Sequence, residues 1–261
     1  MERVCIIGLE DEQVEELRAR LEAPIIGHVS LPRILVEDGM LFVERRNGAG
    51  FLPVSHVIFH SIYADDADFI AGLALWGGPC LPNARAMMDC RLKLPCLVRA
   101  LALTRFGALA RGFLWPGATF TTVTPHVAKW GNWHCGENKA RFERIWQSDE
   151  PCLIEPFVEG ESVRLAIIGD RFWQIRLTGS DWRKSIHGEN AAFMDVDPEL
   201  LADTQAVQSG FGLEVIANDY IVTAAGEQLL LEVNHIPNVD QFAEMWDAYR
   251  DFAVQWIGKG R

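Results

Sequence analysis

The chain has 261 residues, 49% of them hydrophobic, so it can bury a substantial core and is not expected to be disordered. Its formal net charge of −12 argues against a general nucleic-acid-binding surface, because neutralising phosphates requires clustered Lys and Arg. No apolar run approaches the ~20 residues of a membrane span, and the six cysteines form no C-x-x-C pair. Since the first residues lead directly into a strand-like run, we expect a soluble, cytoplasmic protein with reduced thiols.

The first third of the chain alternates between short apolar runs and amphipathic segments, which predicts a small α/β domain. A buried strand is expected at 4–8. A helix is expected at 11–21, because Val14, Leu17 and Leu21 recur at spacings of three and four. Pro and Gly residues separate further short strands, which are predicted at 25–26, 34–36, 41–43 and 57–60.

The rest of the chain begins with helical segments and then becomes strand-rich. A helix at 64–76 is followed by a longer helical run at 83–104, which continues despite Pro95. Later strands are predicted at 119–123, 127–130, 152–158, 163–168, 172–177, 220–223 and 228–233. Two more helices are predicted, at 198–209 and 240–257.

The last predicted hairpin carries a group of oxygen-bearing side chains. Asp219 lies near the start of its first strand, and Glu232 and Asn234 lie two apart on the second, so the latter two face the same side. Mg²⁺ prefers oxygen donors such as carboxylates and amides. The pattern therefore predicts a magnesium site, although the polar end of an ordinary hairpin would look the same.

Several upstream segments accompany this group in a fixed order, and together they resemble the ATP-grasp carboxylate–amine ligases, most closely the RimK-like branch. The resemblance covers residues 83–239. It implies an ATP-grasp fold, in which two α+β subdomains grip ATP, preceded by a small α/β domain. We therefore expect an N-terminal domain at 1–88 and an ATP-grasp domain at 89–261, divided into a lid subdomain near 105–158 and a catalytic subdomain near 159–261.

The resemblance implies an adenine and ribose site in one short segment. Residues 153–160, L-I-E-P-F-V-E-G, are similar to the hinge strand of the family. Phe157 and Val158 would then flank the adenine, Glu161 would bind the ribose, and Glu155 would belong to the same nucleotide site.

Two lysines would bind the phosphates of the nucleotide, since a compact positive charge suits phosphate oxygens. Lys129 ends a V-x-K strand that is similar to the one entering the family's lid, and Lys93 ends a helical N-x9-K element. The implied cofactors are ATP and Mg²⁺, with Mn²⁺ as an alternative ion, and the metal ligands would be Asp219, Glu232 and Asn234.

Three arginines between the hinge and the metal ligands match arginines of the family. The resemblance implies that Arg164 serves the donor carboxylate or a phosphate, that Arg176 serves the γ-phosphate and acyl phosphate, and that Arg183 serves the acceptor or a phosphate. The lid at 131–138 departs from the family, because it contains Trp133, His134 and Cys135 where small residues are usual. A zinc or cysteine-nucleophile role for His134 and Cys135 has no further ligand at suitable spacing.

The implied reaction is ATP-dependent amide formation. A carboxylate would attack the γ-phosphate to give an acyl phosphate, and an amine would then displace phosphate, leaving ADP and phosphate as by-products. The expected partners are small-molecule or peptide carboxylates and amines, without nucleic acid or membrane, and a homo-oligomer is left open. Three alternatives also remain: a catalytically silent nucleotide-binding protein, a kinase-like phosphotransferase and a plain α/β binding module.

Overall fold

The computed structural model describes residues 3–107, 109–131, 138–179 and 181–259. These residues group into two compact units. The first unit lies within Met1–Met88, Gly212–Glu214 and Asn238–Arg261, and the second within Asp89–Phe211 and Val215–Pro237. No helix of the described residues combines the length and the apolar character needed to cross a membrane.

The first unit contains a parallel sheet and an antiparallel one. The parallel sheet has the strand order β2-β1-β6-β7, and the antiparallel sheet has the order β3-β4-β5. Their bounds are β1 (Val4–Ile7), β2 (Ile25–His28), β3 (Ile34–Glu37), β4 (Met40–Glu44), β5 (Phe51–Val54), β6 (His56–Phe59) and β7 (Cys80–Leu81). All residues of β1 and β6 are buried, as expected for parallel strands covered on both faces.

Three helices belong to the first unit and a short 3-10 turn precedes the last of them. They are α1 (Asp11–Arg18), α2 (Ala67–Trp76) and α6 (Ala243–Lys259). Helix α6 packs within this unit although it is distant in sequence: the Tyr249 ring lies 4.7 Å from the His60 ring, and Trp246 Nε1 donates a hydrogen bond of 2.7 Å to Glu16.

The second unit contains three antiparallel sheets. Their strand orders are β11-β10-β13-β8, β12-β9 and β16-β15-β14-β17-β18. The strands are β8 (Gly112–Leu114), β9 (Thr119–Thr121), β10 (His126–Trp130), β11 (Lys139–Phe142), β12 (Ile145–Gln147), β13 (Cys152–Pro156), β14 (Glu161–Ile168), β15 (Arg171–Arg176), β16 (Ala192–Met194), β17 (Val215–Val222) and β18 (Gln228–Asn234).

Two helices of the second unit pack on the five-stranded sheet, α4 (Lys93–Leu101) against β18 and α5 (Pro198–Phe211) against β14 and β17. A buried polar network fixes α5, since the Tyr220 hydroxyl donates to Asp203 at 2.7 Å and lies 2.8 Å from the Thr204 hydroxyl. Burial and the neighbouring Asp203 carboxylate raise the pKa of Tyr220 well above its usual range, so the hydroxyl keeps its proton.

The structure corrects the predicted helix at 83–104. It is divided into α3 (Ala84–Arg91) and α4, with Leu92 in an extended conformation between them. Pro95 explains the break, because a proline deep in a helix removes a hydrogen bond and clashes with the carbonyl four residues earlier. Within the first turn of α4 it is tolerated, since amides there have no helical partner.

Other corrections concern strands. The first strand of the last hairpin begins at Val215 rather than at 220, so Asp219 lies in the middle of β17. Six short strands were missed, namely β5, β7, β8, β11, β12 and β16. The helix predicted to begin at 240 begins at Ala243, after a 3-10 turn at Val239–Gln241. The α/β and α+β fold class is confirmed.

Candidate active site

A cavity of about 650 Å³, which includes space open to solvent at its mouth, lies within the second unit. Side chains of β10, β11 and β13 line one side, and side chains of β14, β17 and β18 line the other. Most of the residues predicted to bind nucleotide or metal lie on its walls.

The predicted metal ligands are brought together by the β17–β18 hairpin. Asp219 and Glu232 are directly paired across the two strands, and Asn234 lies two residues beyond Glu232 on the same face. A β-bulge follows this pair, because Tyr220 is opposite Leu230 rather than Leu231. Bulges redirect side chains and are common beside active sites.

Arg164 on β14 binds Asp219 from the other side. Its Nε and Nη2 atoms donate to the two carboxylate oxygens at 2.6 and 2.9 Å, the forked geometry that arginine makes with carboxylates. Burial lowers the pKa of Arg164, but the charge and hydrogen bonds of Asp219 raise it by more, so the guanidinium is held charged. The pair fixes the orientation of the Asp219 carboxylate.

Three lysines from three different elements surround the two carboxylates. Lys129 and Lys139 are directly paired on β10 and β11 and both line the cavity, whereas Lys93 begins α4 with its Nζ 3.8 Å from Glu232 Oε1. Burial and the nearby Lys129 lower the pKa of Lys139, against the opposing effect of Glu232 and Asp219. Lys139 was not predicted; its sequence signal was only a lysine on a short strand after the lid.

Glu155, expected in the nucleotide site, lines the cavity and forms two buried ion pairs. Its Oε1 lies 2.6 Å from Lys129 Nζ and its Oε2 lies 3.2 Å from Arg111 Nε. Arg111 is a second residue that the sequence did not single out, because no motif contains it. The contacts assign Glu155 to holding Lys129 at the cavity wall.

Aromatic side chains also line the cavity. Phe157 and Trp182 meet edge to face with their ring centroids 5.9 Å apart, and Val158 is a further residue of the wall. The backbone N–H of Phe157 donates to Pro125 O at 2.9 Å, so it is already engaged. Cations lie over both rings: the Arg141 guanidinium is 4.1 Å from the Phe157 centroid, and Lys139 Nζ is 5.8 Å from the Trp182 centroid.

Six predicted site residues are not among those that line the cavity. Lys93 and Arg164 contact residues that do, and Asn234 lies two residues from one, whereas Glu161, Arg176 and Arg183 are paired elsewhere. Arg176 and Glu161 form an exposed ion pair with each other. Arg176 is opposite Val163 on β14, so the alternation of side chains puts it on the face of the sheet opposite to Arg164. Arg183 is exposed and binds Asp181 at 2.7 Å, two residues away in sequence.

The segment around Arg183 nevertheless contributes to the cavity, through Trp182 and Lys184. Thr178 and Ser185 pair across this segment as an isolated bridge. It is tightly closed, because a Cβ at Gly179 would lie 2.2 Å from the Arg183 carbonyl oxygen and one at Gly188 would lie 2.3 Å from the Thr178 hydroxyl. Within the lid, the residues Trp133, His134 and Cys135 lie outside the described residues.

The donor set at the hairpin fits Mg²⁺. Asp219 and Glu232 are hard oxygen ligands on one face, and Asn234 donates its amide nitrogen to Ala217 O at 3.2 Å, which leaves its carbonyl oxygen as the remaining ligand atom. Among the residues that the structure describes, no three His, Cys, Asp or Glu side chains form a metal-binding group. Two carboxylates and an amide suit an ion that takes its other ligands from phosphates.

Known structures of ATP-grasp ligases have a similar fold. The D-alanyl-alanine synthetase A of Vibrio cholerae O1 biovar eltor aligns with a TM-score of 0.67 at 13% identity, covering 99% of this chain and 98% of that one. The ATP-grasp ligase PsnB, complexed with minimal precursor, Mg and ADP, aligns with a TM-score of 0.64 at 16% identity, covering 99% and 97%.

A third similar structure is the macrocyclase MdnC bound with precursor peptide MdnA, from Microcystis aeruginosa. It has a TM-score of 0.63 at 14% identity, covering 97% of this chain and 99% of that one. At the level of sequence, no protein-family model and no curated protein matches the chain. Because each alignment spans nearly all of both chains, the described residues have the fold of the ATP-grasp ligases.

Proposed function

We propose that this protein is an ATP-dependent carboxylate–amine ligase that forms an amide through an acyl phosphate and releases ADP and phosphate. The observation that carries the proposal is the meeting of Lys129 and Lys139 with Asp219 and Glu232 on one cavity that Phe157 and Trp182 also line. Cations and paired carboxylates suit a metal-bound triphosphate, and aromatic rings suit a purine.

In the proposed mechanism, the protein positions the reactants and neutralises charge, which is most of what phosphoryl transfer requires. Lys93, Lys129 and Lys139 bind phosphate oxygens, and Arg164 holds Asp219 in place. Asp219, Glu232 and Asn234 hold Mg²⁺, which when bound neutralises phosphate charge and orients the triphosphate. Phe157, Val158 and Trp182 pack against the adenine.

In this proposal Glu161, Arg176 and Arg183 do not contact the nucleotide. Arg176 and Arg183 are exposed and bound to neighbouring carboxylates, so they would need to leave Glu161 and Asp181 to reach a substrate. Such exposed pairs contribute little stability, and exchanging one carboxylate partner for another costs little. We propose that Arg183, once released from Asp181, serves the carboxylate or amine substrate rather than the bound nucleotide, whereas Arg176 and Glu161 lie on the face of the sheet opposite to Arg164.

The substrate class is proposed from the similar structures. Several of them are complexes with precursor peptides, and others are named for small amino-acid products. We propose that the carboxylate and the amine are both carried by amino acids or peptides. Mn²⁺ is expected to replace Mg²⁺, since both accept carboxylate and phosphate oxygens.

The proposal is tested by ADP release with Mg·ATP and a panel of amino acids and peptides, followed by mass spectrometry of the products. We expect ADP release to depend on a carboxylate and an amine and to accompany an amide product. Glu232→Gln keeps the size of the side chain but removes the negative charge of a metal ligand, and it should lower turnover on the order of 100-fold. Glu227→Gln, in the exposed turn of the same hairpin, is the matched control and should leave turnover unchanged.

Each other outcome has a distinct meaning. A folded protein that binds no Mg·ATP in calorimetry would contradict the proposal altogether. Nucleotide binding without turnover on any member of the panel would instead indicate a catalytically silent protein. A phosphorylated product in place of an amide would indicate a phosphotransferase.

A further inference from the structure

A buried chain of contacts runs from the five-stranded sheet to the Lys129 amine. Arg111 lies just before β8, and its side chain is only 1% exposed. Its Nη2 donates to the backbone oxygen of Leu230 at 2.9 Å, and its Nε lies 3.2 Å from Glu155 Oε2. The other oxygen of Glu155 lies 2.6 Å from Lys129 Nζ. Arg111 therefore joins β18, in one sheet, to β13 and β10 in the other.

The three charged side chains in this series of contacts carry one more positive charge than negative. Glu155 is a single carboxylate between two positively charged groups, so the three side chains together carry one net positive charge. If Lys129 were the sole partner of Glu155, the Lys129–Glu155 pair would be neutral. These groups are buried, where charges are weakly screened. The difference of one unit charge would therefore strongly change the electrostatic potential at the cavity wall.

The shape of arginine suits this position. Its planar guanidinium can address a carboxylate and a carbonyl in different directions at once, as Arg111 does with Glu155 and Leu230. Burial lowers the pKa of Arg111, and the Glu155 carboxylate opposes this by stabilising a positive charge at this position. Arg111 itself is not among the described residues that line the cavity.

We propose that Arg111 is a positioning residue for phosphate binding: by compensating Glu155 it leaves the charge of Lys129 available to the nucleotide phosphates. This inference rests on the proposed function, because it assumes that Lys129 binds phosphate. Arg111 acts only through Glu155 and Lys129. Its loss should weaken binding of phosphate groups and leave binding of the nucleoside unchanged.

The test measures binding of Mg·ADP by calorimetry and of adenosine by ligand-observed NMR titration, using the full-length protein. Arg111→Met should weaken Mg·ADP binding about tenfold, the size expected for one lost compensating charge near a phosphate, and leave adenosine unchanged. Adding Glu155→Gln to this variant should restore most of the affinity, since the pair again carries one net positive charge. Arg105→Met, which removes an exposed arginine paired with Glu199, is the control and should change neither ligand.

A second pair of variants separates charge from folding. Arg111→Gln keeps polar atoms but no charge and should lose affinity as Arg111→Met does, whereas Arg111→Lys keeps the charge and should stay within about threefold of wild type. Thermal melts identify any variant that does not fold. Equal losses for Arg111→Lys and Arg111→Gln, equal losses for ADP and adenosine, or no recovery on adding Glu155→Gln would each overturn the inference. A wild-type protein that binds no Mg·ADP would overturn the proposed function instead.

Discussion

Lys139 is the residue at which the structure adds most to the predicted site. It faces Lys129 across two paired strands and lies at the same cavity as Asp219 and Glu232. Burial and Lys129 lower its pKa, so this amine loses its proton at a lower pH than an ordinary lysine. A phosphate bound beside it would have the opposite effect and would stabilise the charged form.

The first prediction concerns the pH dependence of Mg·ADP affinity. We expect affinity to fall as the pH rises through the lowered pKa of Lys139, in a range below the value of about 10.4 that is usual for lysine. By linkage, the free energy of unfolding of the nucleotide-free protein should rise with pH over the same range, because the unfolded state then binds more protons. Calorimetry and denaturant melts at a series of pH values measure the two effects.

Two variants check the assignment to Lys139. Lys139→Met should bind Mg·ADP more weakly at neutral pH and lack this alkaline decline, and Lys139→Arg should move the decline to higher pH, since arginine keeps its charge. Lys259→Met, which removes an exposed lysine of α6, serves as the control and should keep the wild-type profile. An unchanged profile in Lys139→Met would assign the decline to another group.

At the scale of elements, the site depends on the close contact between the start of β14 and the end of β17. Gly160 immediately precedes β14, and a Cβ there would lie 2.5 Å from the backbone oxygen of Val222 and 2.7 Å from the Ile221 side chain. Any side chain at 160 must therefore push the two strands apart. The strands that would move carry Arg164 and Asp219, which are directly paired.

We predict that Gly160→Ala destabilises the protein by ~1–3 kcal/mol, which corresponds to a fall in Tm on the order of 5 °C. Mg·ADP affinity should fall as well, because the Arg164–Asp219 pair is displaced. Gly258→Ala is the matched control: its Cβ would meet no atom within 4 Å, and alanine is the better helix former in α6. Differential scanning calorimetry with and without Mg·ADP measures both effects, and a Tm equal to wild type would show that the strands adapt freely.

At the scale of the whole molecule, the first unit is assembled from distant parts of the sequence. Helix α6 joins the first strands and helices, since Arg250 Nη1 binds Glu16 at 2.6 Å and the Trp256 ring lies 5.6 Å from the His56 ring. Residues 1–88 therefore lack contacts that the first unit uses. The expected domain boundary between residues 88 and 89 stays a prediction. It does not imply that residues 1–88 fold independently.

We predict that residues 1–88 expressed alone do not fold, whereas the same segment joined to 238–259 by a flexible linker does. The physical reason is the core that α6 completes: Tyr249 is fully buried and its loss would leave the parallel sheet partly uncovered. Circular dichroism melts and the dispersion of amide NMR signals distinguish the two cases. A cooperative melt of 1–88 alone would refute the prediction, and a fusion carrying Tyr249→Ala should melt lower than the fusion itself.

The sequence by itself determined the class of fold and the order of the main elements, because apolar periodicity and turn residues act locally. It also predicted that Asp219, Glu232 and Asn234 lie together, since Glu232 and Asn234 are two apart on a strand that pairs with the strand of Asp219. The short strands, such as β8 and β11, were not predicted from the sequence. Strands of three or four residues carry too little periodicity to be read without their partners.

Only the tertiary structure decided which charged groups share the cavity. Lys139 and Arg111 belong to no motif and gain their importance from partners brought near by sheet pairing and by burial. Arg176 matched a motif, yet the alternation of side chains along β15 directs it to the other face, where it binds Glu161. Electrostatic roles depend on distance and burial, which a sequence pattern does not contain. The alternation of polar and apolar residues, in contrast, can be read directly from the sequence.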